Sequence, residues 1–127
     1  MVTVNNNNRR AVITGMSILS GLGGTPEAYW KGLSEGRSGI RECRYLDVSD
    51  LPIRIGGEVD NALINGDLTQ KFVRKSDRAL VFGLCAAGRA LRDAGYPTDG
   101  EEPIEAACII GTGLGTCSDA QESYATY

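Results

Sequence analysis

Lys71, Arg74, Lys75 and Arg78 place four positive charges just ahead of a long apolar stretch. Spaced i, i+3, i+4 and i+7, they share one face if the segment is helical. Positive charge near a helix N-terminus is unfavourable by roughly 0.3–1 kcal/mol per exposed charge. A cluster held where the dipole opposes it points to a negatively charged partner; the plainer alternative is a solvated basic rim. Cys117 is a second candidate, because it follows a glycine-rich turn at an expected helix start, where a thiolate is stabilised. Yet the 127 residues contain no histidine, and no lysine or arginine lies near Cys117 in sequence. A packed, inert thiol is therefore expected there. Without histidine the chain offers no His general base, no His metal ligand and no Cys–His or Ser–His pair. Cys43, Cys85, Cys108 and Cys117 form no Cys-x-x-Cys pair, which argues against zinc. Cys85 and Cys108 lie in apolar runs and read as small core residues.

Two glycine-rich stretches invite a phosphate-binding reading. Gly111–Thr116, GTGLGT, places Gly111 and Gly113 as a dinucleotide fingerprint requires, but its sixth position is Thr116. Its glycines are better explained by close approach of a strand, a helix and a neighbouring subunit. Gly15–Gly24, GMSILSGLGG, has Ser20 where a P-loop needs its second glycine, and no Gly-Lys-Ser/Thr follows.

These residues must be positioned by a small set of elements. The most prominent is an expected helix over Asp77–Ala94. Leu80, Leu84, Ala87, Leu91 and Ala94 recur at helical spacing, and Val81, Phe82, Cys85 and Ala86 widen the apolar surface. Ser76 suits its N-cap, Gly95 the left-handed position after its last turn, and Pro97 cannot continue it. A helix this apolar calls for cover on most sides. Thr25 caps an earlier helix with Pro26 at its first position and Glu27 in its first turn. Tyr29, Trp30 and Leu33 are its expected apolar face and Gly36 ends it. Arg10–Thr14 and Ala106–Gly111 read as short buried strands, and Ile53–Val59 as an edge strand. Pro97–Pro103 is an acidic connection, and Ser118 opens a helix as a capping box with Gln121. Continuous apolar strands separated by helices call for a parallel sheet covered on both faces, with more strands than these. The pattern therefore reads as the first part of a larger α/β domain.

Composition narrows the class. The chain carries 13 Lys and Arg against 16 Asp and Glu, a net charge of −3, so nucleic acid is not favoured as a partner. Residues 1–8 are low in complexity and expected to be mobile. No signal peptide is visible, and no stretch approaches the roughly 20 apolar residues of a membrane span. A reduced, cytoplasmic protein is expected.

The ordered set of segments resembles the N-terminal portion of the β-ketoacyl-acyl-carrier-protein synthases, most closely the elongating type. RRAVITGMSILSGLGG (9–24) is similar to their opening strand and loop, although many members have proline where this chain has Gly21. TPEAYWKGLSEGRSGI (25–40) is similar to the first helix and its Ser-Gly-Ile turn. Arg74–Gly95 resembles their long buried helix, and IIGTGLGT (109–116) their second strand and glycine loop. The resemblance implies an incomplete N-terminal half of a thiolase-like αβαβα layered fold over residues 9–127, and a homodimer. It implies decarboxylative condensation of malonyl-carrier with an acyl thioester held on a cysteine, with no redox cofactor or metal. In the family that cysteine, two histidines and a lysine lie downstream of the glycine loop, so no catalytic residue carries over and Cys117 receives no role. By itself the chain is expected to be inactive. The basic residues do carry over: Lys71, Arg74 and Lys75 match positions that dock the acidic acyl carrier protein. A non-catalytic carrier-binding or dimerising remnant is the alternative, and an unrelated nucleotide-binding module a third reading.

Overall fold

The computed structural model describes residues 10–97, 106–113 and 115. The expected mobile N-terminus, the acidic connection beyond Pro97, Cys117 and the helix opened by Ser118 lie outside the described residues.

Three helices and one small sheet form the described framework. Helix α1 spans Pro26–Ser34. Thr25 caps it as expected, its hydroxyl accepting from the Ala28 amide at 3.2 Å, with Pro26 in the first turn. Gly36 follows at φ +65, a conformation glycine adopts without strain. The buried contact of α1 differs from expectation. Gly32 is buried, and a Cβ there would meet Leu22 at 3.2 Å, whereas Trp30 and Leu33 are exposed.

Strand β1, Ile40–Glu42, pairs antiparallel with β2, Ile55–Gly57, in the register Ile40↔Gly57 and Glu42↔Ile55. β2 thus lies inside the segment read as an edge strand. A 3-10 turn follows at Asn61–Ile64, then α2, Gln70–Lys75, and α3, Arg78–Asp93. The α3 boundaries agree with the periodicity to within one residue at each end, and Gly95 takes φ +67 as expected. Its cap is Asp77, whose carboxylate accepts from the Ala79 amide at 2.7 Å. Ser76 instead ends α2, in an extended conformation.

The core is small. Ile64, Val81 and Cys85 are buried, with Leu19, Leu68, Val73 and Phe82 packed against them. Leu80 and Leu84, on another face of α3, are exposed. Neither expected parallel strand forms: residues 10–14 and 106–111 carry no strand pairing, and Ile13 and Ile109 are 82% and 93% exposed. A strand exists only through its ladder, and among the described residues nothing lies alongside to complete one. The architecture is accordingly a partial α/β arrangement. Cys108, expected in the core, is exposed for the same reason, while Cys85 is buried as read.

Candidate functional site: a basic ledge on α2

Lys71, Arg74 and Lys75 all fall on α2, spaced i, i+3 and i+4, and all three are exposed. Thr69 starts this helix, its hydroxyl accepting from the Phe72 amide at 3.3 Å. Val73, on the other side, packs against the core and fixes which face turns outward. Among the described residues no carboxylate lies within ion-pair distance of the three cations.

Arg78 does not belong with them. The chain breaks between α2 and α3, with Ser76 and Asp77 both extended (ψ 146 and 145), so the four charges do not lie on one continuous helix. Two short polar residues with capping side chains favour such a break over a continuous turn. The Arg78 guanidinium donates to Asn61 Oδ1 at 2.5 Å and to the Val59 carbonyl at 3.1 Å. It also stacks over Tyr45 and Phe82, 4.8 and 4.9 Å from the ring centroids. Arg78 thus ties the segment after β2 to α3.

The break also reverses the expected electrostatics. Arg74 and Lys75 occupy the last turn of α2, where the dipole favours positive charge. What the trio offers is three exposed cations on one short helix with no counter-charge among the described residues, in a chain whose net charge is negative.

A second polar cluster, not singled out in the sequence, positions the ledge from below. Arg89 on α3 donates through Nε to Asp67 at 3.0 Å, through Nη1 to the Gly24 carbonyl at 3.1 Å, and through Nη2 to the Leu63 carbonyl. Arg92 donates to the other Asp67 oxygen at 2.8 Å. The Arg89 hydrogen bond holds the Asp67 carboxyl below its ordinary range against the opposing effect of burial, and both arginine charges add to it. Nearby, burial raises the Cys85 thiol and the Asp67 charge raises it further, so this sulfur stays protonated and unreactive at neutral pH.

The glycine-rich loop 15–24 also resolves into packing. Met16 donates its amide to Asp93 at 2.9 Å, and the Ser17 hydroxyl donates to the Ala86 carbonyl at 3.0 Å. A Cβ on Gly15 would lie 2.5 Å from the Ala94 amide nitrogen, so glycine is what lets this loop reach the end of α3. At the other glycine-rich stretch, a Cβ on Gly111 or Gly113 would meet nothing within 4 Å among the described residues. The helix expected to approach those two glycines lies outside the described residues. No three His, Cys, Asp or Glu side chains gather among the described residues, and no described helix is long and apolar enough to cross a membrane.

The described residues form a partial α/β framework with a cation-rich ledge in front of its long helix, and comparison with known proteins gives the class. The profile of the family described as "Beta-ketoacyl synthase, N-terminal domain" matches residues 8–127, and the chain belongs to that family. The 3-oxoacyl-(acyl-carrier-protein) synthase 2 of Synechocystis sp. is 36% identical over 107 residues, covering 84% of this chain and 26% of the relative. The enzyme of the same name from Vibrio harveyi is 36% identical over the same shares. The chloroplastic 3-oxoacyl-(acyl-carrier-protein) synthase II of Arabidopsis thaliana is 30% identical over 110 residues, 84% of this chain and 20% of the relative. The chain thus spans about a quarter of the length of the first two relatives.

Proposed function

We propose that this chain supplies the N-terminal framework and a carrier-docking ledge of a cytoplasmic, homodimeric 3-oxoacyl-acyl-carrier-protein synthase of fatty acid or polyketide synthesis. In that reaction a cysteine thiolate attacks an acyl thioester and the carrier thiol departs. Malonyl-carrier then loses carbon dioxide, and the resulting carbanion attacks the enzyme-bound thioester. A carbon–carbon bond forms and the thiolate is regenerated. The groups that perform these steps are assigned to other parts of the enzyme, so the 127 residues alone do not condense. No metal or redox cofactor enters this scheme.

The single observation that carries the docking role is the exposed trio Lys71, Arg74 and Lys75, which has no counter-charge among the described residues. An acidic partner that neutralises them gains long-range attraction and correct register. Reversing all three to glutamate in the intact synthase raises the Kd for holo acyl carrier protein at least tenfold at low salt. It also flattens the dependence of Kd on ionic strength. Unchanged affinity at low salt rejects the role.

A further inference from the structure

The β1–β2 hairpin carries a loop, Cys43–Arg54, that lies apart from the core. None of its residues is buried, and Leu46, Leu51 and Ile53 are exposed. Its ends meet where the ladder stops, just beyond the Glu42↔Ile55 pair: the Cys43 amide donates to the Arg54 carbonyl at 2.9 Å. A surface loop with joined ends is a local unit. Inside it lies an open cavity of about 310 Å³, lined by Cys43, Leu46, Val48 and Arg54, so its own side chains do not fill it. Three hydrogen bonds cross the loop. The Ser49 amide donates to Asp47 Oδ1 at 3.1 Å, the Leu51 amide to the Val48 carbonyl at 3.0 Å, and Arg54 to the Ser49 carbonyl at 2.9 Å.

The ties from the loop to the rest of the chain gather at Arg44 and Tyr45. Their amides donate to the two oxygens of Glu58, at 2.8 and 3.0 Å. The Tyr45 hydroxyl donates to Asp60 Oδ1 at 3.1 Å and accepts from the Asn61 amide at 3.3 Å. Arg44 donates to Asp60 Oδ2 at 3.2 Å. The Arg78 guanidinium of α3 lies over the Tyr45 ring, 4.8 Å from its centroid. The Arg44 and Tyr45 amides hold the Glu58 carboxyl below its ordinary range, and the Ala62 amide and Tyr45 hydroxyl do the same for Asp60. Both acceptors are therefore ionised at neutral pH. Lys71, Arg74 and Lys75 take no part in these contacts.

We propose that Cys43–Arg54 opens and closes as one unit about its hairpin neck, with Tyr45 as the latch that holds it shut. No core residue belongs to the loop, so the core stays intact when it opens. Tyr45 alone meets Glu58, Asp60, Asn61 and Arg78 together, and its departure carries Arg44, its neighbour in the chain, with it. Opening moves Leu46, Leu51 and Ile53 together and leaves the helices in place.

Hydrogen exchange of the intact synthase at neutral pH, resolved along the chain, tests this. In the wild type the amides of Arg44, Tyr45 and Leu51 share one protection factor, lower than that of the inner amides of α3. Tyr45→Phe keeps the ring and removes the hydroxyl. Exchange across 43–54 then rises about three- to tenfold, while α3 exchange and the urea midpoint stay at wild type. Glu58→Gln replaces two charge-assisted contacts by neutral ones and speeds loop exchange in the same sense. Loop protection equal to that of α3 overturns the proposal, because the segment then opens only with the whole fold. Unequal protection at Arg44 and Leu51 overturns it as well, because the loop then frays piecewise. If both variants leave loop exchange unchanged, Tyr45 is not the latch. A fall in the urea midpoint large enough to account for the faster exchange also refutes a separate unit.

Discussion

Asp67→Ala removes the counter-charge from a guanidinium that holds four segments together. Arg89 links α3 to Gly24 at the entry to α1, to Leu63 in the 3-10 turn, and to Asp67 in the segment leading into α2. The Asp67 and Arg89 side chains are 13% and 24% exposed, so solvent cannot fully replace the lost carboxylate. Breaking a fully buried pair costs about 3–5 kcal/mol. Arg89 keeps two carbonyl acceptors and some water, which lowers the expected loss to about 2–3 kcal/mol. With a urea m-value of about 2 kcal/mol/M, the unfolding midpoint falls by about 1–1.5 M at an unchanged slope. Arg89→Ala costs a similar amount, and the double variant loses less than the two single losses combined, with a coupling of about 1–2 kcal/mol. A midpoint shift under about 0.3 M for Asp67→Ala, or strict additivity, would refute the reasoning. The pH dependence follows from the direction of the shift. The Asp67 carboxyl is depressed in the folded state, so its contribution is full above the unfolded value of about 3.9. That contribution fades as pH falls below it toward the folded value. Asp67→Asn removes this part of the acid limb and leaves the neutral-pH slope unaltered.

Two further outcomes separate packing from docking. Gly15→Ala forces a methyl against the last turn of α3 and destabilises by about 1–3 kcal/mol, read as a lower urea midpoint. Arg78→Ala lowers stability through lost hydrogen bonds and ring stacking but leaves the salt slope of carrier binding intact. Arg74→Ala does the reverse, with little change in melting and a shallower salt slope. If Arg78→Ala also flattened the slope, its separation from the ledge would be wrong.

The parts of the fold legible in the sequence are those whose causes are local. The Thr25–Pro26 start of α1, the left-handed Gly36 and Gly95, and the extent of α3 all follow from capping chemistry and helical period. Features that depend on distant residues were harder to read. Arg10–Thr14 and Ala106–Gly111 have strand composition, but pairing is a property of two segments, and neither has a partner among the described residues. The Asp67–Arg89 contact spans 22 positions of sequence, and no spacing rule links an aspartate in a loop to an arginine about three turns into a later helix. Its only trace is a charged residue inside the otherwise apolar run of α3. Of the expected apolar face of α1, Tyr29 is half-buried but Trp30 and Leu33 are exposed; they outweigh Gly32 on any hydropathy scale, whereas close approach to Leu22 selects the residue with no side chain.

The two extended residues between α2 and α3 decide how the candidate site works. In one uninterrupted helix, Arg78 would extend the basic face, and all four charges would oppose the dipole of α3. The break at Ser76 and Asp77 gives each half its own terminus. Arg74 and Lys75 then lie at a helix end that favours them, while Arg78 turns onto Asn61 and Phe82. The ledge can therefore remain cationic at little cost to folding. A partner that neutralises it adds binding free energy without displacing a counter-ion from among the described residues. That separation of an anchored Arg78 from Lys71, Arg74 and Lys75, which form no ion pair among the described residues, is what makes charge reversal on α2 a test of recognition rather than of stability.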